Sequence, residues 1–126
     1  MTPPALPCPT CGTPVVGARS FASGRGLLLE ARHGLRAGYQ VDPAGTASQS
    51  GRNPTHTTHD QCPGGWDVVV ALVKGEAHLC PVGDSEQRLR AAIGPRTSGP
   101  AARLPAVLAR LHTAGLRAHH TNRDAT

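Results

Sequence analysis

Cys8-Pro9-Thr10-Cys11-Gly12, read together with the later His59-Asp60-Gln61-Cys62, constrains this chain more than any other feature. Each stretch carries two soft or borderline ligands with two residues between them. Two such pairs can present four corners of a tetrahedron to one Zn²⁺. Pro9 restricts the backbone of the first pair, and Gly12 supplies the permissive dihedral that turns N–H groups toward the thiolates. That is the local pattern of a zinc knuckle. A redox reading of the Cys8–Cys11 pair wants a following helix, whereas Thr13-Pro14-Val15-Val16 reads as extended. Metal is therefore favoured over redox chemistry.

The expected ligand set is Cys8, Cys11, His59 and Cys62. The second pair is less regular, because Pro63 removes an N–H donor after Cys62. His56 competes with His59 at a similar spacing, and Cys80 is a further substitute for it. Asp60 is a candidate acceptor for orienting an imidazole. Four protein ligands leave no position for water or substrate, so the site reads as structural. The bland alternative is that the cysteines are merely small buried side chains.

A metal staple meets a need that the composition creates. The 126 residues include 15 Gly and 12 Pro, and only Phe21, Tyr39 and Trp66 carry large aromatic rings. A small domain with so few core-filling side chains usually needs a disulfide, a metal or a partner. The net charge of +5 favours anionic partners such as nucleic acid. Lys74 is the only lysine beside twelve arginines, however, which fits a GC-rich coding bias and solvated charge. No apolar run is long enough to span a membrane, and the N-terminus lacks the pattern of a signal peptide. Four cysteines in a chain of that kind point to metal or free thiol, with the cytoplasm as the expected compartment.

Taken in order, the chain predicts strands over 15–21, 27–32 and 35–41, separated by glycine turns. Residues 43–58 are polar and read as a flexible loop. Trp66 to Val73 and Glu76 to Val82 predict two further strands around Lys74-Gly75. Asp84 or Ser85 caps a short helix ending before Gly94-Pro95. Residues 95–102 read as a linker. A second helix over 105–114 carries the stripe Leu104, Val107, Leu108, Leu111, with Gly115 and Leu116 placed for a Schellman stop. The predicted class is α+β: a small zinc-ribbon-like antiparallel sheet with one or two C-terminal helices. The expected division is a β domain over 1–82, a helical extension over 83–118 and a disordered tail over 119–126.

Cys8-Pro9-Thr10-Cys11-Gly12, the Ser23-Gly24-Arg25 turn and His59-Asp60-Gln61-Cys62-Pro63 together resemble small zinc-ribbon-like proteins of actinobacteria and their phages. Those proteins pair a CPxC-type knuckle with a late HxxCP-type half-site. The resemblance covers roughly residues 8–63 and is loose between the half-sites. It implies a fold and a metal, and no particular activity.

No phosphate-binding loop, HExxH motif or nucleophile elbow is present. Cys80 and His78 sit at alternate positions of one predicted strand, with no orienting carboxylate, and make a poor nucleophile–base pair. The chain therefore reads as a non-enzymatic, Zn-stabilised binding or adaptor module. One partner class is nucleic acid, held at its phosphates by Arg19, Arg25, Arg32 and Arg36. The other is a protein docking on helix 105–114 through its leucine stripe. No membrane association and no small-molecule substrate are expected.

Overall fold

The computed structural model describes residues 5–59 and 65–120. Among these residues the chain is α+β, with strands in two sheets and two short helices. The first sheet takes β1 (Leu6–Pro7), β2 (Pro14–Ser20), β3 (Gly26–Ala31), β4 (Gly38–Val41), β5 (Thr46–Ser50) and β6 (His56–Thr58). Its order is β1-β2-β3-β6-β4-β5, and β5 also pairs with β2. That last pairing is parallel, at Arg19↔Thr46 and Ser20↔Ala47. It closes five strands into a small barrel, where the sequence leads to an open ribbon-like meander. The interior is narrow and filled by small side chains: Ala18, Leu29 and Ala47 are buried, with Leu27, Tyr39 and Val41 packed around them.

Closure depends on β5 and β6, both inside the 43–58 stretch that the sequence places in a loop. Their residues are Thr, Ala, Ser, Gln and His, so no apolar alternation announces them. Backbone pairing to β2, β3 and β4 makes them strands, a case of tertiary context overriding composition.

The second sheet runs β10-β7-β8-β9, from β7 (Val68–Val73), β8 (Glu76–Pro81), β9 (Ser98–Pro100) and β10 (Ala118–His120). The β7–β8 hairpin turns at Lys74-Gly75 as expected, with φ of 51° and 79° at the two central residues. Strand β9 lies in the expected linker. Strand β10 takes in the first two residues, 119 and 120, of the tail expected to be disordered, and runs parallel to β7. Both are three-residue strands paired to the two edges of the β7–β8 hairpin.

Two helices, α1 (Glu86–Ile93) and α2 (Leu104–Thr113), cover one face of this sheet. Val68, Val70, Leu79, Leu89, Leu104, Leu111 and Leu116 form the core between them. Helix α2 ends as its sequence requires. Gly115, at φ 77°, donates to His112 O, and Leu116 N–H donates to Leu111 O at 2.9 Å, which is the Schellman pair. The leucine stripe faces its own sheet: Leu104 and Leu111 are buried, and Val107 and Leu108, half-buried, pack on the same core. A helix this short is marginal alone, and here its own sheet supplies the packing.

The other face of the sheet packs on β2 and β3. His119, fully buried, sits between the layers with Nε2 2.9 Å from Val15 O and its ring edge-on to Trp66 at 5.1 Å. The approach is close because the barrel presents glycines there. A Cβ on Gly17 would lie 2.6 Å from His119 Nδ1, and one on Gly26 would lie 2.6 Å from the Cys80 carbonyl oxygen. Among the described residues no helix is long and apolar enough to cross a membrane.

Candidate metal centre

The knuckle forms the tip of the β1–β2 hairpin. Pairing of Leu6 with Val15 and Pro7 with Pro14 brings the two arms together. The turn is closed by Cys8 N–H to Thr13 O at 2.8 Å and by Gly12 N–H to Cys8 O at 2.9 Å. Gly12 adopts φ 76°, the left-handed conformation expected of it. In this turn the backbone N–H groups of Thr10 and Cys11 are aimed at the Cys8 sulfur. Burial pushes the Cys8 thiol up, but the Cys11 and Thr10 amides outweigh it, joined by the side chains of His59 and Cys11. The thiol is lowered to about 6. A thiolate is the ligand form of cysteine, so this environment prepares Cys8 for a cation.

His59 lies just beyond β6, which is separated from β2 by β3 alone. Its N–H extends the β3–β6 ladder by donating to Leu28 O at 2.8 Å. The ring then reaches the knuckle, with Nε2 3.6 Å from Cys11 Sγ. One ligand atom each from Cys8, Cys11 and His59 lies within 4.8 Å of the others. Around a tetrahedral Zn²⁺, a bound sulfur and a bound imidazole nitrogen stand about 3.6 Å apart. The Cys11–His59 separation is already at that value.

Glu30 completes the arrangement and has no signal in the sequence. Its Oε1 lies 3.3 Å from His59 Nδ1, and its Oε2 lies 3.5 Å from Arg32. The register that pairs Glu30 with Thr57 sets it near His59. A carboxylate at Nδ1 holds the proton there and leaves the Nε2 lone pair facing the sulfurs, the usual support for a metal-binding histidine. Burial lowers the affinity of the imidazole for a proton, while Cys8, Glu30 and Cys11 raise it, and the net shift is upward. Asp60, the acceptor suggested by sequence, lies outside the described residues, as does Cys62. Replacing Glu30 with Gln should weaken metal binding about 10–100-fold while the fold is kept. Competition against a chelator of known affinity measures this, and an unchanged affinity would remove Glu30 from the site.

The two rival ligands are elsewhere. His56 is three residues from His59, an odd separation that sends it to the opposite face of an extended chain. It is buried against Thr55, whose Oγ1 lies 2.8 Å from its Nδ1, and burial lowers its proton affinity. Cys80 is buried in β8 beneath the barrel. Burial pushes its thiol up to about 11, with Arg19 opposing. The His78 imidazole is engaged by Glu76 at 3.5 Å, while the Cys80 thiol donates to the His78 carbonyl oxygen at 3.9 Å.

The four arginines expected to hold nucleic acid fall into two groups, Arg19 and Arg25 at one end of β3 and Arg32 and Arg36 at the other. Arg25 and Arg32 flank the two ends of β3, about 20 Å apart at the usual strand rise. Arg25 is bound to Glu86 at 3.0 Å and to the Gly83 carbonyl, tying the barrel to α1. Arg19 lies beside it, with its guanidinium near Cys80. Arg32 is paired with Glu30 at 3.5 Å, and Arg36 is exposed nearby. Comparison with protein-family models, with curated proteins and with solved structures finds no match to this chain.

Proposed function

We propose that this protein is a non-enzymatic binding module whose barrel is fastened by one structural Zn²⁺ held by Cys8, Cys11, His59 and Cys62. The observation that carries this reading is the 3.6 Å approach of His59 Nε2 to Cys11 Sγ, with Glu30 on the opposite ring nitrogen. Two thiolates and an imidazole select Zn²⁺ over hard cations, which take oxygen ligands. Chain connectivity supports Cys62 as the fourth ligand. It stands three residues from His59 and three from Gly65, and a Cβ on Gly65 would lie 3.8 Å from Cys8 Sγ. Three residues of extended chain reach about 10 Å, so a ligand at position 62 is within reach of the site from His59 and from Gly65.

With four protein ligands the metal has no open position, and its role is to join the β1–β2 tip to the end of β6. That matches a barrel whose interior is little more than Ala18, Leu29 and Ala47. The knuckle is the element shared with zinc ribbons, set here on a closed sheet. The arginines at separate ends of β3, two of them in ion pairs, give no continuous phosphate track and do not favour nucleic acid as the partner.

Cobalt substitution tests the ligand set. Thiolate-to-metal charge-transfer absorption in the Co²⁺ form should fall by about a third in Cys62→Ser, as one of three thiolates is lost. It should be unchanged in Cys80→Ser. A Cys62→Ser spectrum identical to the parent, or loss of absorption in Cys80→Ser, would overturn the assignment.

A further inference from the structure

The helix-covered face of the second sheet is not fully closed. Two helices of 8 and 10 residues span four strands, and between the end of α1, strand β9 and α2 they leave a cleft of ≈ 670 Å³. Its volume is within the usual range for small-molecule sites, about 300–1,000 Å³. Leu79 of β8, Ile93 of α1 and Val107 of α2 line it, and no carboxylate does. Three arginines stand at its edge: Arg96, Arg103 and Arg110. All three are exposed, and among the described residues none is within ion-pair distance of an Asp or Glu. This sets them apart from Arg25, Arg32, Arg88 and Arg90, each of which has a carboxylate partner.

The pairing of an apolar trough with unneutralised guanidinium groups has a clear complement. We propose that this cleft binds a small amphipathic anion, an alkyl chain ending in a carboxylate or phosphate, a ligand class that the chain's motifs do not suggest. Arg103, the residue preceding α2, and Arg110 within it are seven residues apart, about 10 Å along the helix axis, which matches an extended medium-length alkyl chain. The chain lies along Val107 and Leu79, and the head group takes parallel N–H donors from a guanidinium at the rim. Burying the alkyl chain removes apolar surface from water on both partners, and the positive rim orients it.

Titration calorimetry with decanoate, below the concentration at which it aggregates, tests the site on the full zinc-loaded chain. Saturable one-to-one binding is expected, at least tenfold weaker in Arg103→Ala/Arg110→Ala. Decanol should bind at least tenfold more weakly than decanoate, and acetate or inorganic phosphate should show no binding at the same concentrations. Ala106→Trp, which places a large ring in the cleft from an exposed position of α2, should abolish binding with the fold intact by circular dichroism. Decyl phosphate in a parallel titration identifies the preferred head group, and tighter binding of either anion supports the same site. Decanol binding as well as decanoate, decanoate binding that survives Ala106→Trp, or no saturable binding of either anion would overturn the proposal.

Discussion

Stripping the metal with a strong chelator is expected to lower the melting midpoint by at least about 15 °C, the equivalent of about 5 kcal/mol for a chain of this length. Metal binding and folding are one process when the ligands come together only in the folded chain. Here the three candidate ligands among the described residues, Cys8, Cys11 and His59, come from the β1–β2 tip and from the end of β6, separated by most of the barrel sequence. Structural Zn²⁺ contributes about 10–16 kcal/mol in small zinc domains, comparable with the whole stability of a typical fold at about 5–15 kcal/mol. The barrel interior cannot replace that amount, since its buried hydrophobic cluster is only Ala18, Leu29 and Ala47, with Leu27, Tyr39 and Val41 partly buried around it. The loss should be smaller than in an isolated finger, because the second sheet has its own core and holds β2 and β3 from outside. Differential scanning calorimetry before and after chelation gives the shift. An unchanged midpoint after complete metal removal would mean that the knuckle does not fasten the barrel.

Gly26→Ala should be strongly damaging for a single added methyl, costing about 3 kcal/mol, the upper end of overpacking effects. The added Cβ would meet the Cys80 carbonyl oxygen at 2.6 Å, Val82 Cγ2 at 2.9 Å and Val69 Cγ2 at 3.1 Å. The first of these is backbone in a paired strand, so relief requires the two sheets to move apart. Moving them apart would also loosen His119 from Val15. Gly51→Ala is the control. A Cβ there meets nothing within 4 Å, so the substitution should be neutral, or stabilising by about 0.4–1 kcal/mol through the unfolded chain. Urea denaturation of both variants measures the contrast. Equal midpoints would show that the sheets do not meet at Gly26.

What could be read from the sequence was local. Cys8, Cys11 and Gly12 lie within five residues, and the turn they make is decided within that span. The hairpin at Lys74-Gly75 and the Schellman end of α2 are equally local and equally visible. Choosing His59 over His56 needed a strand through 56–58, which polar residues do not announce, because only strand alternation separates the two rings. Glu30 was hidden for a related reason: its closeness to His59 follows from the register of β3 on β6, a long-range pairing. Barrel closure rests on two residue pairs between β2 and β5, and β9 and β10 on three each. Strands that short carry no periodicity of their own. The burial of His119 was unreadable too, since it depends on Gly17 facing it from another sheet.

Native mass spectrometry of the purified chain and of Cys11→Ser tests the central claim most directly. The account predicts one Zn²⁺ per parent chain under non-denaturing conditions, and loss of that metal in Cys11→Ser together with a broadened, unfolded charge-state distribution. A parent chain that is folded and free of metal, or a Cys11→Ser chain that keeps a full equivalent of Zn²⁺, would contradict it.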